Sequence, residues 1–393
     1  MKALPLIVSG TALVGATYGL ARFSYGLFVP AFSREFELTP SLAGVIYSGS
    51  FLAYCLAAVV AFRFADRPRW SILLAGVTAT GGSVVVAAAV SPIMLAAGIL
   101  IAGAGAGFAS PGLVALVAHH VPFRAGDRIQ TVVNAGSGIG VAVGGPMALL
   151  FSGNWRTAWW LIALIAAVAT ALTLLTDRPA TGATGRAGGA DETDRAAAGL
   201  TLSGLAPLRT AMAAAVLAGA ASAGVWTFGR SHVVASGGLS QTQATVFWVL
   251  VGIAGVAGAF SGDAVDRIGL RRSWMTTSAL LAGATAAVGF WAGQPVVAFS
   301  AGAIFGGAYV ALTGILIVWA AHRVPEQASA GTAALFIALA VGQAGGAALL
   351  GGLLEVAAAW VGFLLAASTG VLGAVVVAAD AAVDERPRSP DLV

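Results

Sequence analysis

Uninterrupted apolar segments, each long enough to cross a lipid bilayer, recur from one end of this sequence to the other. A spanning helix needs about 20 apolar residues to cross roughly 30 Å of hydrocarbon. Hydrophobic residues make up 59% of the 393 positions and charged residues only 9%, against roughly a quarter charged in soluble domains. No water-soluble fold of this length has an interior that hides so much apolar surface, which excludes a cytosolic enzyme or a secreted module. The short alternating segments of a transmembrane β-barrel are also absent. The 53 glycines let helices pack closely where lipid supplies no hydrophobic drive between them. An all-α membrane fold follows.

Breaks at proline, glycine and charged clusters predict twelve transmembrane helices, near 5–30, 40–63, 71–90, 93–119, 128–151, 156–176, 208–235, 241–262, 274–293, 296–320, 329–354 and 357–380. The first resembles a signal peptide in having Lys2 ahead of an apolar run. It continues through Phe28 to Pro30, however, which is too long for a leader's apolar region. Residues 177–206 are polar, glycine-rich and charged, a composition that cannot bury a core. They are expected to form a cytoplasmic linker between six-helix bundles at 1–176 and 207–380, with a cytoplasmic tail at 381–393.

Of the 20 basic residues, this topology puts sixteen on the side of the termini, Arg34 and Arg156 on the other, and Arg22 and Arg230 within spans. That bias places both termini in the cytoplasm. It also accounts for the pI near 9.7 without nucleic acid as a partner. The single cysteine, Cys55, leaves neither an intramolecular disulfide nor a thiolate metal cluster.

The sequence repeats itself. Asp66-Arg67 followed by Trp70 recurs as Asp266-Arg267 followed by Trp274, an offset of 200 (266 − 66). Ala118-His119-His120-Val121-Pro122 recurs as Ala321-His322-Arg323-Val324-Pro325, an offset of 203 (321 − 118), and Trp155 and Trp360 differ by 205 (360 − 155). Two parallel six-helix halves are a plan used by secondary transporters.

The loop expected after the eighth span reads Gly262-Asp263-Ala264-Val265-Asp266-Arg267-Ile268-Gly269-Leu270-Arg271-Arg272. It resembles the cytoplasmic signature of the major facilitator superfamily, G-x-x-x-D-R-x-G-R-R/K, with Leu270 in place of the first basic residue. The equivalent stretch, Phe62 to Trp70, keeps Asp66 and Arg67 but lacks both glycines. Gly136-Ser137-Gly138-Ile139-Gly140 and Gly144-Gly145-Pro146 loosely resemble the glycine-proline motif of the family's antiporters, without the later glycines. The strings GLARFSYGLFVP at Gly19 to Pro30 and WTFGR at Trp226 to Arg230 are similar to the YbfB/YjiJ-type bacterial branch. The resemblance implies an inner-membrane carrier working by alternating access. It also implies a conformational latch in the Asp-Arg segments: Asp66, Arg67, Gly262, Asp266, Arg267, Gly269, Arg271 and Arg272. A plain positive-inside tether is the alternative.

Arg22 is the most informative single residue, because a charge at mid-membrane costs roughly 2.5–3.5 kcal/mol on insertion scales and faces a wet cavity or a partner. Thr11, Gly15, Tyr18, Arg22 and Tyr25 share one face of a regular helix. That face lines a cavity, or Arg22 caps carbonyls of a neighbouring helix. Arg230, with Trp226 a turn below it, either joins the cavity or snorkels to the surface. Tyr47 and Tyr54 on the second helix, Asn134 on the fifth, Tyr309 on the tenth and Gln343 on the eleventh are substrate contacts or hydrogen bonds between helices. Trp248 is a cavity aromatic or a packing residue. Pairing two arginines from the first and seventh helices resembles the organophosphate:phosphate antiporters.

All sixteen acids fall in loops or at helix ends, so proton coupling through a mid-membrane carboxylate is disfavoured, with Glu355 and His232 the only substitutes. No H-E-x-x-H and no phosphate-binding G-x-x-x-x-G-K-[ST] occurs. No cofactor, metal or enzymatic activity is expected. The expected function is secondary transport of a small solute, an organic anion, by a monomer in the bilayer. An exporter of lipophilic compounds is the alternative.

Overall fold

The computed structural model describes residues 4–64, 67–120, 123–151, 153–177, 204, 206–235, 238–380 and 383, with the side chains of 62 and 118–128 left aside. Among these residues, twelve long helices follow in order. The first six are α1 (Leu4–Phe36), α2 (Pro40–Ala61), α3 (Pro68–Ala87), α4 (Pro92–Val117), α5 (Ile129–Leu150) and α6 (Trp155–Thr176). The second six are α7 (Ala206–Ala235), α8 (Gln241–Ile268), α9 (Leu270–Trp291), α10 (Pro295–Arg323), α11 (Pro325–Val356) and α12 (Ala359–Ala379). Eleven of them are long and apolar enough to cross a bilayer. The other, α9, has the length, at 22 residues, but Thr276, Thr277, Ser278, Gly283 and Thr285 within it, together with Arg271 and Arg272 near its start, lower its apolarity.

Two boundaries differ from expectation. Helix α1 does not stop at Pro30 but runs through it to Phe36. The missing proline N–H is one hydrogen bond, and the turns beyond it pack Phe32 against Trp159 and Phe32 and Phe36 against Trp155 of α6. The Gly262–Arg272 stretch is not a loop. Ser261–Ile268 is helical, Gly269 alone makes the turn at φ 86°, and α9 starts at Leu270. The Gly269 N–H closes the helix on the Val265 carbonyl at 2.9 Å, and its positive φ is one that glycine adopts without strain.

The packing repeats six helices apart. In the first half α1 packs on α5, α2 on α4, and α3 on both α4 and α6. In the second α7 packs on α11, α8 on α10, and α9 on both α10 and α12. The halves meet along two long antiparallel seams, α2 with α11 and α5 with α8. Small residues set the approach: a Cβ on Gly44 would strike the Ala347 carbonyl, and one on Gly252 the backbone of Ala142. The sequence landmarks mark register rather than equal surroundings, since Trp274 is buried against Trp319 while Trp70 is exposed. The expected linker lies almost wholly outside the described residues, as does Asp66.

Candidate functional site

Two stretches of π-helix interrupt the symmetry-related helices, Gly15–Arg22 in α1 and Val225–Gly229 in α7. The wider turn of a π-helix rotates the following residues relative to a regular helix, and such segments are frequent at functional sites. In α1 the wider coil lies against α5 backbone to backbone, with Gly15 and Gly19 on Gly136 and Gly140. Side chains there would hold the helices apart.

Arg22, at the end of the α1 segment, enters a small closed pocket between the halves. Tyr18, Phe23, Tyr54, Asn134, Ser137, Tyr309, Thr313, Phe336, Leu339 and Gln343 complete its wall. Arg22 is buried, with a relative exposure of 3%. Its guanidinium carbon sits 4.2 Å from the Tyr54 ring centre, 4.7 Å from Phe51, and 5.5 Å from both Tyr18 and Phe23. Nη2 donates to Gln343 Oε1 at 3.4 Å, across the interface between the halves, and Nε has no partner among the described residues. Gln343 Nε2 donates to the Tyr309 hydroxyl at 3.0 Å and to Ser222 Oγ at 3.4 Å. The Tyr18 hydroxyl bonds to that of Tyr54 at 3.1 Å and also to Ser110. Asn134 Nδ2 donates to Thr313 Oγ1 at 2.8 Å, joining α5 to α10. No carboxylate lines the pocket among the described residues, and they hold no cluster of three metal-ligating side chains. The free volume is about 20 Å³, room for one water.

The pocket thus brings together Tyr18, Arg22, Tyr54, Asn134, Tyr309 and Gln343. Trp226 stands behind it, stacked on Phe23 at 4.1 Å and edge-on to Tyr309 at 5.1 Å. Trp248 is fully buried and packs edge-on against Trp226. Tyr25 and Tyr47 lie elsewhere, their rings 4.8 Å apart, with the Tyr25 hydroxyl on the Ala43 carbonyl at 2.9 Å. The five-residue face from Thr11 to Tyr25 is therefore not one face. The π segment keeps Tyr18 beside Arg22 and swings Tyr25 away, putting Phe23 in the pocket instead.

Arg230 does not reach the pocket. Its Nη2 donates to Gln241 Oε1 at 2.8 Å in a separate cavity near the end of the bundle opposite the termini. His232 turns to a third cavity, stacked on Phe363 and bonded to the Gly289 carbonyl at 3.2 Å. Glu355 is exposed and accepts from the Ser41 N–H at 3.0 Å, where α2 begins. In the Asp-Arg segments Asp266, Arg67, Arg267 and Arg272 are exposed and Gly262 half-buried, while Arg271 donates to the carbonyl of Asp380 within its own half.

Sequence reasoning missed Phe23, Phe51, Ser110, Ser137, Phe336 and Leu339. Phe23 needs the π register, which apolar periodicity does not reveal. Phe51 sits one turn from both Tyr47 and Tyr54, a signal that was present. Phe336 and Leu339 lie in uniformly apolar sequence.

Twelve helices in two repeated halves, closed around a buried polar pocket, define a helical membrane carrier. A family model described as Major Facilitator Superfamily matches residues 11–347, and the chain belongs to that superfamily of transporters. The fold is shared by the crystal structure of the nucleoside transporter NupG, at TM-score 0.68 and 17% identity over 96% of this chain and 98% of that one. A point mutant of NupG gives TM-score 0.71 and 15% identity, over 95% and 99%. A bacterial homologue of the human lysosomal transporter Spinster, inward-facing and unoccupied, gives 0.67 and 16%, over 97% and 96%. No functionally curated protein matches the sequence.

Proposed function

We propose that this chain carries a small organic anion by alternating access, with Arg22 as the charge that recognises it. The observation behind this reading is the Arg22 guanidinium, 3% exposed and without a carboxylate partner among the described residues. Burying a cation without a counter-ion is costly. Four aromatic faces offset part of that cost through cation–π attraction, roughly 0.5–2 kcal/mol each. One long bond to the neutral Gln343 leaves the guanidinium free to pair with an arriving anion. Tyr18, Phe23, Tyr54 and Tyr309 would enclose the apolar body of that anion.

A volume of about 20 Å³ admits no organic solute, so binding requires the halves to part along α2–α11 or α5–α8. The arginine excess on the side of the termini supports a cytoplasmic location for both. The testing experiment is thermal stability of the purified protein against carboxylates, phosphate esters, lipophilic cations and nucleosides. We expect an anion to stabilise the wild type and Arg22→Gln to abolish that response while remaining folded. Stabilisation by lipophilic cations or nucleosides alone, retained in Arg22→Gln, would overturn the reading and favour an exporter or a nucleoside carrier.

A further inference from the structure

Arg230 and Arg34 face one cavity of about 310 Å³, distinct from the central pocket, between α1, α5, α6, α7 and α8. It lies near the end of the bundle opposite the termini, where α1 ends and α8 begins. Arg230 is 8% exposed, anchored by the one bond to Gln241, with Nε buried and without a partner among the described residues. Arg34 is exposed, and its Nε donates to the Pro30 carbonyl at 3.2 Å. No carboxylate lines the cavity among the described residues. The nearest acid in sequence, Glu35, is already committed: Trp155 Nε1 and Arg156 Nη1 reach its Oε2 at 2.6 and 3.0 Å, and Arg156 Nη2 its Oε1 at 2.6 Å. Two guanidiniums, one of them nine-tenths buried, therefore share a space with no internal counter-ion.

We propose that this cavity is a phosphate site, filled by the headgroup of an anionic phospholipid or by a free phosphate group. Guanidinium forks match the oxygens of a phosphate, and two of them around one cavity supply the charge a phosphate needs on leaving water. Leu27, Phe28, Ala31, Ala148 and Phe151 make the remaining wall apolar, which suits an amphiphile at headgroup depth. Because α1, α5 and α6 belong to one half and α7 and α8 to the other, the bound phosphate bridges the halves. It thereby favours the arrangement in which these helix ends are close.

The test uses the full-length protein, in detergent and in nanodiscs of phosphatidylcholine with or without phosphatidylglycerol. Native mass spectrometry reads retained phosphatidylglycerol, and thermal stability reads added inorganic phosphate. We expect at least one ligand to bind the wild type, and Arg34→Gln to weaken it about tenfold or more, as loss of a charge-assisted contact does. Arg34 is exposed, so that variant folds even if Arg230→Gln does not. Arg22→Gln should bind as the wild type does, which separates this site from the central pocket. Retained phosphatidylglycerol with no response to inorganic phosphate identifies a lipid. A phosphate response in pure phosphatidylcholine identifies a free anion. Binding of neither ligand, binding indifferent to Arg34→Gln, or binding lost in Arg22→Gln overturns the proposal.

Discussion

Gly26 of α1 lies against the backbone carbonyl of Trp226 in α7 so closely that a Cβ at position 26 has no room. This contact closes the two halves over the Arg22 pocket at the end opposite the termini, beside the stacked Phe23 and Trp226 rings. A valine at 26 must therefore push α1 and α7 apart. In a Cys55→Ser background, spin labels at the exposed positions Glu37 and Ala235 should report a longer distance for Gly26→Val than for the parent. An unchanged distance distribution in a well-expressed variant would show that this approach does not control the closed state.

The Arg22–Gln343 contact makes a second prediction that reads in opposite directions for stability and binding. Gln343→Glu supplies a counter-ion where a neutral acceptor now stands at 3.4 Å. Thermal stability should rise, and the stabilisation by added anion should vanish, because the guanidinium is already paired. Gln343→Leu leaves Arg22, Tyr309 and Ser222 short of a partner and should cost roughly 1–3 kcal/mol. If Gln343→Glu still responds to the anion, Arg22 is not the recognising charge.

The sequence made the twelve helices legible because apolar length is a one-dimensional property, and most expected limits fall within a few residues of the observed ones. The repeat was legible from landmarks such as Asp66-Arg67 and Asp266-Arg267, which recur at a nearly constant offset. Residues that carry polarity into an apolar span, such as Arg22, Tyr54, Asn134 and Gln343, announced the pocket by being costly where they stand. Position around the helix axis was less legible, since it depends on every turn being regular. One π segment between Gly15 and Arg22 was enough to exchange Tyr25 for Phe23. Arg230 shows the complementary limit: its depth was readable, but which cavity it enters depends on Gln241 of the next helix.

Glu355 and Ser41 give a third prediction. The carboxylate accepts the Ser41 N–H at 3.0 Å, tying α11 of the second half to the start of α2 in the first. A negative charge at a helix N-terminus contributes roughly 0.3–1 kcal/mol at an exposed site. Glu355→Gln keeps the acceptor and loses the charge. It should lengthen the Glu37-to-Ala235 spin-label distance in part of the population and leave anion affinity unchanged, because Glu355 does not border the pocket. Loss of anion binding in this variant would contradict a tethering role.

The last prediction separates two kinds of arginine contact near the termini. Arg69 at the start of α3 meets Asp177 past the end of α6 at 3.1 Å, and Arg271 at the start of α9 meets the carbonyl of Asp380 past the end of α12. The arginines are 202 positions apart (271 − 69) and the aspartates 203 (380 − 177), so the two ties are one repeated device. Each lies within its own half and has no reason to change as the halves rock. Arg69→Ala should cost less than about 1 kcal/mol, since that pair is half-exposed and screened. Arg271→Ala, part-buried, should cost about 1 kcal/mol. Neither should alter the distance between the α2–α3 and α10–α11 turns. Asp266 is different: it is exposed and has no partner among the described residues, as a latch closed only in the alternative conformation requires. Asp266→Asn should therefore leave thermal stability unchanged in this state, while shifting that distance distribution and slowing transport. If both distance and transport rate stay as in the wild type, the Asp266-Arg267 segment is a tether and not a latch.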